Sequence, residues 1–276
     1  MKTAKKCLVS VLAAGTLIAS LALPVCAGLV QKGSVDSAKL PAGTLLYSED
    51  FDGFTADGTD EVVKKLGWTV VESITDCTME LSVSDGKLYV NNLDTNSQDS
   101  YALMLDSEYM KNISNNDYTY EYEVTYLNAG NTTRYVALLY NYDGKDKYDS
   151  VDMRIRGDGY LNFRRGSAWK NFSDDVCPIR AANEEAIYTK LFNEPLDLNK
   201  YCLQGKTVTV RVEISPENGP AVYINDVFAA DMKINQNEWY NTGGSAVCFK
   251  ASKLIEAEID NIRIWTGTGD APVEAE

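Results

Sequence analysis

The 276-residue chain contains no histidine. Constellations that depend on an imidazole, Ser-His-Asp and Cys-His among them, are excluded, as are lyase chemistry using that base and any His-ligated metal site. A zinc site built from cysteine alone would call for a C-x-x-C pair, and none occurs. Nothing in the chain suggests a nucleotide or a haem. Any acid or base must therefore be Asp, Glu, Tyr or Lys. Basic residues are also scarce, 26 Lys and Arg against 40 Asp and Glu, for a net charge of −14. Such a surface repels phosphate backbones, so nucleic acid is not expected as a partner, and it attracts divalent cations.

Long apolar runs are equally few. One run, Leu8 to Leu23, follows Lys2, Lys5 and Lys6 and precedes the small-residue site Val25-Cys26-Ala27. This is the layout of a bacterial export signal over residues 1–27, too short and too soon followed by polar residues for a membrane span. No later segment reads as transmembrane. Leu23-Pro24-Val25-Cys26 also resembles a lipoprotein box, although Val25 fits poorly before the cysteine, which leaves a lipid anchor at Cys26 as an alternative. The expected location is the medium or the cell surface. Residues 28–43, GLVQKGSVDSAKLPAG, are rich in turn formers without periodicity and read as a flexible linker. Residues 44–266 read as one domain and 267–276 as an acidic tail. Cys77, Cys177, Cys202 and Cys248 remain after the signal. In an exported protein an even count permits two disulfides; Cys177 with Cys202, which bracket one insertion, is the first choice, and four buried thiols are the alternative.

Short β-rich runs separated by turn residues fill the domain. Ser84-Asp85-Gly86-Lys87 is a hairpin signal, because Asp-Gly supplies positive φ. In DYTYEYEVTYLNAG, Tyr118, Tyr120, Tyr122, Val124 and Tyr126 share one face, and Thr119, Glu121, Glu123 and Thr125 the other. The pattern breaks from Ser167 to Tyr201, where Arg180 to Phe192 reads as a short helix. Strands resume through Val208–Ile214, Ala221–Ile224, Ala246–Lys250 and Glu256–Trp265. The expected fold is all-β: an antiparallel two-sheet β-sandwich, a jelly roll with one short helical insertion.

The order of motifs carries a resemblance. SEDFDGF with GWTVVES, then DYTYEYEVTYLNAGNTTRYVALLYNYDG, SVDMRIRGDGYLNFRRGSAW, KTVTVRVEISPENGPAVYINDV and EIDNIRIW together resemble the concanavalin A-like, laminin-G-like jelly rolls over residues 44–266. That superfamily includes carbohydrate-binding modules, adhesin domains and glucanases, so the fold leaves function open. The resemblance implies a structural calcium ion where the opening and closing strands meet, near Glu49, Asp52 and Asp260. Laminarinase-like glucanases carry Glu-x-Asp followed by a further Glu in mid-chain. Here Glu258-Ile259-Asp260 lies in the last strand, and Ile262 and Arg263 stand where that Glu would be. The apolar parity also changes at Asp260-Asn261, which predicts a bulge, so EIDN reads as scaffold.

Glu121 and Glu123, i and i+2 on one strand face, are the better catalytic candidates, one as general acid and the other as base or nucleophile. Against them stands an ordinary solvated strand face. Aromatic residues in polar, turn-rich segments can stack on sugar rings, which singles out Trp169, Trp239, Tyr240 and Tyr160 as ligand-binding candidates. The leading reading is a non-catalytic, lectin-like module for extracellular glycans. A glycoside hydrolase and a protein-binding adhesion domain are the alternatives.

Overall fold

The computed structural model describes residues 28–29, 40–71, 79–93, 102–105, 113–128, 136–142, 149–153, 161–165, 168–171, 189–195, 204–231, 246–252 and 254–272. Among these residues the strands form two antiparallel sheets. The larger has ten strands. Its main path runs β15 (Val227–Asp231), β14 (Gly219–Ile224), β13 (Thr207–Ser215), β8 (Tyr118–Tyr126), β17 (Glu256–Thr266), β6 (Lys87–Asn92), β5 (Met79–Ser84) and β3 (Ala56–Asp57). Beside that path, β2 (Leu45–Glu49) pairs with β17, and β1 (Gly28–Leu29) pairs with β2. The smaller sheet has seven strands, in the order β12 (Ala168–Asn171), β11 (Leu161–Arg165), β10 (Asp149–Met153), β9 (Val136–Tyr142), β16 (Ala246–Ala251), β7 (Ala102–Leu105) and β4 (Thr69–Val71).

The sheets share one hydrophobic core, and alternation along each strand builds it. On β8 the tyrosine face is sealed: Tyr118, Tyr120 and Tyr126 are fully buried and Tyr122 nearly so. Their rings reach the opposite sheet, where Tyr120 packs against Tyr140 of β9 at a centroid distance of 5.9 Å and Tyr118 donates its hydroxyl to Asn141 Oδ1 at 2.7 Å. Those hydroxyls need partners because a phenol buried without one forfeits its hydration. Val208, Val210, Val212 and Ile214 of β13 and Ile259, Ile262 and Ile264 of β17 complete the layer.

Turn chemistry sets the hairpins. Asp85 and Gly86 adopt φ of 52° and 71°, as the tight turn between β5 and β6 requires. Asn225 and Asp226 do the same between β14 and β15. The predicted bulge is present: the β17–β8 register shifts between Asp260 and Arg263, and Asn261 takes φ 50°. Its cause lies on the other edge of β17. Residues 256–259 pair with β6, residues 262–265 pair with β2, and the strand changes partner between them.

Several elements differ from the sequence reading. An α-helix, α1 (Thr59–Leu66), lies between β3 and β4. Val62 and Leu66 bury its inner face, Asp60 and Glu61 sit in its first turn and Lys64 and Lys65 in its last, and Gly67 caps it in the left-handed region. Eight residues between turn formers give too short an apolar period to be seen from sequence. Gly28–Leu29, read as linker, is paired with Tyr47–Ser48. Of the expected helix over 180–192, residues 189–192 are helical and the rest lies outside the described residues.

Ile264 is fully buried in the middle of this core. Ile264→Ala should lower unfolding free energy by about 3 kcal/mol, the usual cost of deleting buried methylene groups. Urea denaturation followed by tyrosine fluorescence measures it, and a loss below about 1 kcal/mol would mean that the two sheets do not close over this position.

Candidate functional site

The outer face of the larger sheet carries a row of side chains in register across five strands. Phe228 of β15 pairs with Tyr223 of β14, Tyr223 with Arg211 of β13, Arg211 with Glu121 of β8, and Glu121 with Arg263 of β17. Contacts follow the register. Phe228 and Tyr223 meet edge to face at 5.7 Å, and the Arg211 guanidinium lies over the Tyr223 ring at 4.7 Å. Arg211 Nη1 donates to Asp226 Oδ1 at 2.7 Å and to Asp270 Oδ1 at 3.4 Å. Arg263 Nη2 donates to Glu121 Oε1 at 2.6 Å. Further along the face Lys87 binds Glu258 at 3.0 Å, and the Tyr89 hydroxyl donates to Glu256 at 2.8 Å. The Tyr89 phenol is pushed up to about 12 by its partial burial and by that carboxylate.

Glu121 is thereby placed. It shares the outer face with Glu123, as alternation requires, but it is buried to 7% exposure with Arg263 closed on one of its oxygens. The carboxylate that stands opposite Glu123 in the ladder is Asp260. Glu258 of EIDN is held by Lys87. The start of the acidic tail also lies on this face: Gly269 N donates to Glu213 Oε1 at 3.2 Å, and Thr119 Oγ1 donates to the Gly267 carbonyl at 2.8 Å.

A second group of acids gathers where β17 changes partner. Glu49 ends β2 on the inward side, buried to 2% exposure. Its Oε1 accepts the Phe51 N–H at 2.7 Å, and its Oε2 is buried with no hydrogen-bond partner. Burial, and then the charges of Asp50 and Asp260, push this carboxyl up to about 7, against the bond from Phe51. Asp260 is also raised, by burial first and then by Glu123 and Asp52, although the Asn261 N–H and Lys87 offset part of this. Asp52 reaches the Asp85-Gly86 turn, where a Cβ on Gly86 would stand 2.2 Å from Asp52 Oδ1.

Calcium takes several oxygen ligands, carboxylate and main-chain together. Glu49 fits that chemistry in kind, since it presents a buried, unpaired carboxylate oxygen. Among the described residues no three Asp, Glu or Cys side chains stand together as ligands of one ion. Glu49, Asp52 and Asp260 are therefore electrostatic neighbours at the fork rather than a ready three-carboxylate shell.

Of the aromatic candidates, Trp169 lies in β12, the edge strand of the smaller sheet, with its backbone opposite Arg164; its side chain is outside the described residues. Tyr160, Trp239, Tyr240, Cys177 and Cys202 lie outside them too, as do residues 1–27 with Cys26. No helix among the described residues is long and apolar enough to cross a membrane. Sequence reasoning passed over Arg211, Tyr223, Phe228 and Arg263. The Asn225-Asp226 turn was the available signal, because it fixes which residues of β14 and β15 face each other.

No protein-family model matches the chain, and no curated protein matches it. Solved structures resemble it in part. A carbohydrate-binding module, CBM66 from Bacillus subtilis, is 15% identical with a TM-score of 0.39, over 72% of this chain and 95% of that one. A cellulose-induced protein, Cip1, is 13% identical with a TM-score of 0.47, over 80% and 99%. A Bacillus subtilis protein of unknown function with a galectin-like fold is 8% identical with a TM-score of 0.45, over 83% and 99%. These are distant likenesses between β-sandwiches, and no functional residue is carried over from them.

The raised Glu49 carboxyl has a measurable consequence. The folded state holds this proton up to about pH 7, whereas the unfolded chain releases it near 4.5. The stability it contributes is complete below pH 4.5 and is lost as pH rises through 7, by about 3 kcal/mol. In EDTA-containing buffer, denaturation midpoints should fall across this window for the wild type and flatten in Glu49→Gln. Identical profiles for the two proteins would show that Glu49 titrates normally.

Proposed function

We propose that this chain is an exported, non-catalytic glycan-binding module, a jelly roll of the concanavalin A-like type acting in the medium or at the cell surface. The observation that carries this reading is the pairing of the buried Glu121 with the partly exposed Arg263 at 2.6 Å. Hydrolysis of a glycoside needs two carboxyl groups about 5 Å or more apart with oxygens open to the sugar. Glu121 instead serves as the counter-ion of Arg263, which leaves Glu123 without its expected catalytic partner. Recognition without cleavage needs only aromatic platforms and hydrogen-bonding groups. Trp169, Trp239, Tyr240 and Tyr160 supply platforms in the reading from sequence.

The test is a broad glycan array probed with the full-length chain expressed with its own export segment, followed by incubation of each bound glycan. Binding to a defined class without release of reducing ends is the expected result. Cleavage that disappears in Glu123→Gln would replace this reading with a glycosidase. A folded protein that binds no glycan would move the search to protein ligands and an adhesive role.

A structural calcium ion belongs to the same proposal, with Glu49 as its buried carboxylate ligand and Asp52 and Asp260 adding negative charge at the fork. The orphaned Glu49 Oε2 supports it. A cation there would offset the burial and the smaller repulsion that raise both Glu49 and Asp260. Calcium should raise the melting temperature by several degrees relative to EDTA, and Glu49→Gln should abolish the difference. A melting curve unmoved by millimolar calcium would remove the ion from the account.

A further inference from the structure

The loop aromatics are not the only candidate platform, and the hairpin of β14 and β15 offers one that is fully placed. Phe228 is 47% exposed on the outer face of the edge strand of the larger sheet. Its ring meets Tyr223 edge to face, and Tyr223 lies under Arg211. Arg211 is fixed in turn by Asp226, Asp270 and Glu213. Its side chain is only 10% exposed, whereas those of Asp226 and Asp270 are 80% and 98% exposed. The flat face of the Phe228 ring is thus held at a set angle by Tyr223, with two solvent-facing carboxylates on the guanidinium that covers Tyr223.

We propose that Phe228 and Tyr223, flanked by Asp226 and Asp270, form a stacking site for a neutral hexose residue of a glycan. The proposal rests on the glycan-binding reading above and gives that activity a place in the fold. Chemistry selects the occupant. The apolar face of a pyranose matches one ring in size, and its hydroxyls are donors for exposed carboxylate oxygens. An anionic sugar would meet Asp226 and Asp270 on a chain of net charge −14, and the cation nearest the ring, Arg211, is already engaged by carboxylates. A protein partner is disfavoured by area. The other large hydrophobic residue that is exposed among the described residues is Leu93, at 46%. It follows β6, five strand positions from β15 and therefore about 24 Å away across the sheet. One isolated aromatic pair falls far short of the roughly 1,000 Å² that a specific protein interface buries.

A cross-strand aromatic pair can also exist only to hold an edge hairpin together, and the experiment must separate these roles. The glycan bound most tightly by the full-length chain on an array of neutral and acidic oligosaccharides would be titrated by calorimetry against the wild type, Phe228→Ala, Phe228→Leu, Phe228→Trp and the Trp169→Ala/Trp239→Ala pair. Melting temperatures would be recorded for each protein. The expected glycan is neutral, with affinity lowered about tenfold or more by Phe228→Ala and Phe228→Leu and kept by Phe228→Trp, at unchanged melting temperature. Leucine keeps the apolar bulk without the flat face, so its loss of binding identifies stacking. Binding unaffected by Phe228 substitutions but lost in the tryptophan pair would overturn this site while leaving the glycan-binding reading intact. No binding by the folded wild type would overturn both. A self-associated wild type that becomes monomeric in Phe228→Ala, read by light scattering, would assign the ledge to a second copy of this chain instead.

Discussion

Much of the structure hangs on one strand that changes partner. β17 keeps β8 along one edge on both sides of its bulge, while its other edge belongs to β6 for its first residues and to β2 for its last. A strand cannot serve two neighbours that approach from different ends without a discontinuity, and the bulge at Asp260–Arg263 supplies it. Asn261 takes the positive φ, at a residue type that tolerates the left-handed region. The side-chain alternation restarts one step out of phase, so Ile259 and Ile262 both point into the core although three positions separate them. The first and last strands of the domain are tied together by the same device, and main-chain bonds from Thr266 N to the Thr44 carbonyl and from Gly43 N to the Thr266 carbonyl close the seam.

The fork also explains the electrostatics. Where β6 and β2 diverge, main-chain pairing lapses and polar side chains fill the opening. Glu49, Asp52, Asp260 and Glu123 come near one another there because the backbone delivers them, with Lys87 as the neighbouring cation. Repulsion and burial then act on the carboxyls at the cost of protein stability. A group so placed persists when something in the working environment relieves it, a proton at low pH or a cation at neutral pH. Under the calcium proposal the two would compete for the Glu49 carboxylate, whose Oε2 is buried with no hydrogen-bond partner.

A good deal of this was legible in the residues. Period-two alternation on β8 separated the buried tyrosines from Glu121 and Glu123, and the phase change at Asp260-Asn261 located the bulge, because a strand's side-chain parity is a local property. Asp85-Gly86 located a turn for the same reason. Partners across strands are not local. Nothing in Glu121 and Glu123 reveals that Arg263, 142 residues away, closes on the first of them. The spacing suited a catalytic pair and equally suited two members of a charged sheet face, and only the register shows which side chain Glu121 meets. The helix α1 escaped notice because eight residues give two apolar contacts, Val62 and Leu66, too few to define a period.

The placement of cations narrows what this face can bind. On the described outer face Arg211 meets Asp226, Asp270 and Glu213; Arg263 meets Glu121; and Lys87 meets Glu258. Each strong cation is bound to at least one carboxylate of the chain itself. A sulfated or uronic polysaccharide would have to displace these internal partners, losing about as much as it gained and burying more negative charge beside them. A neutral ligand meets no such exchange. In the proposed site the Phe228–Tyr223 pair is set by sheet register, while the acceptors would come from Asp226 in the hairpin turn and Asp270 beyond β17. The register that sets Glu121 beside Arg263 also sets Arg211 beside Tyr223, where Asp226, Asp270 and Glu213 hold its guanidinium.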